Sequence, residues 1–109
     1  MQTVNVQEII QEMVRRIVEK FDPVQIVLFG SHARGTAGPD SDVDLLVVMP
    51  VEGSKMDKSV EIRLALREMG LPKDVIVITP QEARDYRDVI GTIIYPAFHE
   101  GKILYERSA

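Results

Sequence analysis

Residues 26–49 read IVLFGSHARGTAGPDSDVDLLVVM, and the rest of the chain is organised around them. Two apolar runs flank a polar loop punctuated by glycine, and the second run opens with Asp42 and Asp44, one residue apart. A strand projects residues i and i+2 to the same face, about 7 Å apart along the chain, so both carboxylates emerge on one side. Two anions held so close call for a counterion, and a divalent cation suits them. Taken alone, Asp-x-Asp ahead of an apolar run also fits the solvated start of an ordinary strand.

Upstream, Val6, Ile9, Ile10, Met13, Val14, Ile17, Val18 and Phe21 recur at the three-four spacing of an amphipathic helix. Asn5 and Glu8 match a capping box at its start, and Asp22-Pro23 stops it. Its apolar stripe is expected to lie on a sheet. Gln25–Phe29 reads as a short buried strand ended by Gly30-Ser31. A glycine there permits close backbone approach to a ligand, and the serine offers a hydroxyl and an amide to a phosphate oxygen. Ser31–Arg34 could form one helical turn before Gly35, although for an isolated Gly-Ser an ordinary strand-to-loop turn is the prevailing reading.

Residues 42–49 form the second predicted strand, with Asp42, Asp44, Leu46 and Val48 on one face and Val43, Leu45, Val47 and Met49 on the other. Lys55–Met69 reads as a helix closed by Gly70, and Lys73–Ile78 as a third strand with Asp74 at its entry. A strand, a helix and a strand favour a right-handed crossover and parallel pairing, which brings Asp74 to the same edge as Asp42 and Asp44. The short link between the first two strands favours antiparallel pairing, and Gly30-Ser31 then falls beside that edge. Thr79-Pro80-Gln81-Glu82 is a capped helix start, with a helix to about Arg87 or Asp88. A further helix is predicted over Val89–His99, kinked or broken by Pro96, with a short edge strand at Ile103–Tyr105. Tyr86, Tyr95 and Tyr105 read as packing residues. The fold expected is α/β (α+β): a small mixed sheet packed with helices, in a single domain over residues 1–109.

Composition narrows the function. A formal charge of −4 and a pI near 5.1 argue against binding long nucleic acid through phosphate neutralisation. The absence of cysteine excludes thiolate metal sites and disulfides. No apolar run approaches a membrane span and no basic, apolar leader is present, so a cytoplasmic protein is expected. His32 and His99 have no spaced partner that would make either a metal ligand. Three carboxylates beside a glycine-serine loop describe metal-dependent phosphoryl or nucleotidyl transfer, and an all-oxygen site suits magnesium.

Gly30-Ser31, ten residues, then Asp42-Val43-Asp44 resembles the GSx10DxD signature of the DNA polymerase beta-like nucleotidyltransferases. The longer run GSHARGTAGPDSDVDLLVV looks like the minimal nucleotidyltransferases, often the antitoxin encoded beside a HEPN-domain toxin. Arg34, Gly35 and Ser41 also match, and Asp74 falls at the third carboxylate. The resemblance implies a nucleotidyltransferase core in which Asp42, Asp44 and Asp74 hold two magnesium ions and Asp74 helps deprotonate the acceptor. Gly30 and Ser31 would hold the phosphates of a nucleoside triphosphate. Arg34 would lie near the triphosphate, or else pin the loop to Asp40. The activity implied is transfer of AMP from ATP to a hydroxyl, a tyrosine in the antitoxin group, on a partner HEPN toxin. Little sequence follows the core, so the acceptor is expected from a docked partner or a homodimer, with Ile93, Ile94 and Phe98 either serving such a contact or packing internally. Two other readings stay open: a binding module that neutralises its partner by occlusion, and a metal-dependent phosphoesterase or nuclease.

Overall fold

In the computed structural model, residues 5–108 are described. Helix α1 (Val6–Phe21) is capped by Asn5, whose side chain accepts hydrogen bonds from the amides of Gln7 and Glu8. Its predicted stripe is the buried face: Ile10, Met13 and Ile17 are all but inaccessible to solvent. Asp22 ends it in the left-handed conformation.

Strand β1 (Gln25–Phe29) leads into a four-residue helix α2 (Ser31–Arg34), and strand β2 (Val43–Val48) follows after a loop. Asp42 lies one residue ahead of β2 rather than inside it. Helix α3 (Lys55–Ala65) is capped by Ser54 and ends earlier than its apolar pattern suggests. A 3-10 turn, Arg67–Met69, and a left-handed Gly70 complete the descent to β3 (Lys73–Ile78). Helix α4 (Pro80–Tyr86) starts at the predicted capping box, with Thr79 and Glu82 each bonding the other's backbone amide. The predicted helix over 89–99 begins only at Ile94. Pro96 sits in the first turn of α5 (Ile94–Glu100), where its missing amide costs nothing, while Thr92 Oγ1 donates to Val89 O at 2.9 Å in the turn before it. Strand β4 (Lys102–Glu106) closes the sheet.

The strand order is β3-β2-β1-β4. β2 pairs with β1 antiparallel and with β3 parallel, as the connection lengths require, and β4 adds antiparallel to β1 with a register shift between Ile26 and Val27. The sheet is buried on both faces. Val43, Leu45 and Val47 join Ile10, Met13, Ile17 and Ile62 under α1 and α3. Leu46 and Val48 join Val27, Ile78, Ile94 and Ala97 under α5. Leu46 and Val48 share their face with Asp44, so the strand that anchors the core also delivers a carboxylate to its own rim. No helix among the described residues is long and apolar enough to cross a membrane.

Candidate active site

Register alone assembles the rim. Phe29 is opposite Asp44 across β1–β2, and Asp44 is opposite Asp74 across β2–β3. Neighbouring strands lie about 4.8 Å apart, so the entry of β3, the entry of β2 and the Gly30–Ser31 turn stand side by side. Asp42 is held at this edge by the Val43 amide, which donates to Pro72 O at 2.8 Å and ties the β2 entry to the β3 entry.

Gly30 has φ 74° and ψ −157°, a region essentially reserved for glycine. A Cβ there would overlap Asp44 Oδ2 and stand 3.3 Å from its Cγ. The close approach that the sequence suggests for a ligand is therefore used first for the Asp44 carboxylate. Gly30 O accepts from the amides of Ala33 and Arg34, both at 3.1 Å, which turns the chain into α2. The amides of Ser31 and His32, first in that turn, have no intrahelical acceptor.

His32, set aside by sequence reasoning because it lacks a ligand partner, has a structural task. Its Nε2 lies 3.2 Å from Ser41 O, while Ser41 Oγ accepts from the Gly38 amide at 2.9 Å. The two contacts fold the 35–41 loop back against α2 immediately before Asp42. Only its place in the run SHARGTAGPDSD could have hinted at this. Arg34 is exposed and, among the described residues, makes no ion pair with Asp40 or any other acid. His99 pairs with Asp88 at 2.9 Å and stacks on Tyr95, away from ligand chemistry. Tyr105 packs against the core, whereas Tyr86 is 44% exposed. Ile94 is buried, Phe98 is partly buried with the Arg87 guanidinium over its ring, and Ile93 is half exposed.

The electrostatics register one shared field. The Asp44 carboxyl is held above the usual carboxylate range, first by desolvation and then by the charges of Asp42 and Asp74; His32 and Arg34 pull the other way. Among the described residues, no three acid or histidine side chains are already drawn to one metal-ligating point. The backbone thus brings the acids to one edge without drawing their side chains to a single point. The donor set fits magnesium: oxygen only, all anionic, with Asp44 half-buried.

A mixed α/β sheet with a glycine-bounded turn beside carboxylates at strand entries defines the class of enzymes that move nucleoside phosphates. The chain belongs to the nucleotidyltransferase domain family, which it matches over residues 10–99. A protein of Methanocaldococcus jannaschii with the provisional name protein adenylyltransferase MJ1305 is 49% identical over 106 residues, covering 91% of this chain and 71% of that protein. A nucleotidyltransferase of Sulfolobus solfataricus, identified as such provisionally, superposes with TM-score 0.60 at 20% identity, covering 92% of this chain and 79% of the other. A toxin-antitoxin structure with AMP-PNP superposes with TM-score 0.55 at 19% identity, covering 90% and 74%. These two likenesses establish a shared fold.

Proposed function

We propose that the chain transfers AMP from ATP, with magnesium, to a tyrosine hydroxyl of a partner HEPN toxin, and so acts as its antitoxin. One observation carries the reading: Asp44 lies in register with Asp74 on one side and against Gly30 on the other. The relative named for protein adenylylation supports the reaction type, and the toxin-antitoxin structure holding an ATP analogue supports the partner class.

In this reading the Ser31 and His32 amides and the Ser31 hydroxyl bind the β- and γ-phosphates, and Arg34 adds positive charge to the same edge. Asp42, Asp44 and Asp74 would hold the magnesium. Bound magnesium supplies charge neutralisation for the triphosphate and the departing pyrophosphate, and lowers the pKa of the attacking hydroxyl. Asp74, exposed at the edge of the sheet, receives the hydroxyl proton. The acceptor oxygen forms a bond to the α-phosphorus, the bond from that phosphorus to the bridging oxygen breaks, and pyrophosphate leaves with the electron pair.

The test is transfer of label from α-labelled ATP to a purified HEPN-domain protein offered as acceptor. Asp42→Asn and Asp74→Asn should abolish labelling while the circular dichroism spectrum persists. Undiminished labelling in both variants would defeat the mechanism, and toxin neutralisation without labelling would favour occlusion. Inorganic phosphate in place of pyrophosphate would mark hydrolysis.

A further inference from the structure

β3 is an edge strand, and a cleft of about 550 Å³ runs beside it, lined by Asp74–Val77 on the strand and by Ser59 and Arg63 among others on α3. Arg63 also borders a second cleft of about 380 Å³ with Val60, Leu64, Arg67 and Lys73. Along α3 itself, Met56, Val60 and Leu64 follow one another at four-residue steps and are 76%, 39% and 56% exposed. Such spacing places them on one stripe of the helix. Only Ile62 of α3 is fully buried, so the helix offers more apolar surface outward than a helix serving the core alone needs.

On the cleft side of this stripe the exposed charge is the opposite of the chain's, while Asp57 and Glu61 follow it on its other side. The protein carries a formal −4, yet Arg63, Arg67 and Lys73 make no ion pair among the described residues, and Asp74 is the one acid lining either cleft. Position agrees with charge. Displacement at phosphorus is in line, so an acceptor enters on the side opposite the pyrophosphate. With the Gly30–Ser31 turn following β1, β2 central and β3 at the edge, that opposite side is the β3 edge.

We infer that the exposed stripe of α3, with the two clefts that flank it, is the docking surface for the acceptor protein. The partner meets it with an apolar segment bordered by aspartate or glutamate, which delivers its hydroxyl to Asp74. The inference rests on the transfer reading for its direction, but the surface is testable without catalysis. Large exposed apolar side chains with cations on one side and acids on the other favour a protein over a nucleic acid.

Two fluorescent peptides of equal length serve as probes, each with leucines and one tyrosine, one bearing glutamates and the other lysines. Anisotropy with the intact chain should show preferential binding of the acidic peptide, weakened roughly tenfold by the double reversal Arg63→Glu with Arg67→Glu, and similarly by Leu64→Asp. Arg63→Lys with Arg67→Lys should retain binding, which separates charge from folding. Equal affinity for both peptides, binding of neither, or indifference to the reversal would overturn the surface. Tighter binding of a single-stranded RNA oligonucleotide than of the acidic peptide at the same salt would overturn it in favour of nucleic acid. Selective peptide binding with no AMP transfer under ATP and magnesium would leave the surface standing and remove the transfer reading.

Discussion

Replacing Gly30 by alanine separates backbone strain from damage to the site. At φ 74° and ψ −157° a side chain costs on the order of 1–3 kcal/mol in the folded state. For a chain of this size that amounts to a loss of roughly 5–20 °C in melting temperature. The new methyl must also displace the Asp44 carboxylate it overlaps. Gly53→Ala is the control, because Gly53 has φ 91° but open space where its Cβ would stand, in the loop between β2 and α3. It should cost about 1 kcal/mol through φ alone. Urea unfolding measures the stability of both variants, and AMP transfer is then measured well below either melting temperature. Gly30→Ala should lose on the order of a hundredfold in transfer, the scale expected when a reacting group is misplaced by about 1 Å. Gly53→Ala should keep near-native transfer. Equal losses in the two variants, or native transfer with Gly30→Ala, would refute the account of how Gly30 seats Asp44.

Three further outcomes follow from the same geometry. Asp44→Asn removes a half-buried anion that faces two others, so the metal-free variant should be at least as stable as the native chain at neutral pH. Because the folded chain raises this carboxyl, its penalty is present above the folded pKa and fades as pH falls into the carboxylate range; magnesium should raise the melting temperature of the native chain and not of the variant, by thermal scans at two pH values. Glu82 is shifted the other way, held low first by the Lys55 ammonium and then by the Thr79 amide, so the stability it contributes is present above the ordinary glutamate pKa and is lost as pH falls through its lower folded value. Glu82→Gln should therefore be less stable than the native chain at neutral pH, with the difference closing in acid. Gly101→Ala should destabilise without touching the rim, since a Cβ there would overlap both Ala97 O and Leu28 O at the α5–β4 corner; chemical denaturation should show a large loss while any protein that folds still binds nucleotide.

The fold was legible wherever periodicity, capping and connection length agreed. The stripe of α1, the capping box at Thr79 and the nearly unbroken apolar run Val43–Val48 each specify one element, and a short link against a helical crossover specifies antiparallel and then parallel pairing. Boundaries were less legible. Val89–Ile93 continue an apolar helical pattern, but Thr92 takes up turn carbonyls and Pro96 is best placed at a helix start, so α5 is short. At the rim, parallel pairing of β2 with β3 brings Asp44 and Asp74 to one edge, and their register sets them opposite each other. The roles of Gly30 as a seat for Asp44 and of His32 as a clamp on Ser41 depend on a φ angle and a tertiary contact that composition does not encode. The cations beside the α3 stripe, which have no ion-pair partner among the described residues, were equally hidden, since a helix sequence does not reveal which of its charges find partners.

The central claim is that acids from two strand entries close on shared magnesium while the Gly30–Ser31 turn holds the triphosphate. A crystal structure of the chain soaked with manganese and a non-hydrolysable ATP analogue tests it most directly. The anomalous map should place metal within about 2.2 Å of oxygens of Asp42 and Asp44, with Asp74 on the same cluster and the terminal phosphates against the Ser31 amide. Metal bound elsewhere, or Asp74 turned away from any ion that Asp42 and Asp44 hold, would contradict it.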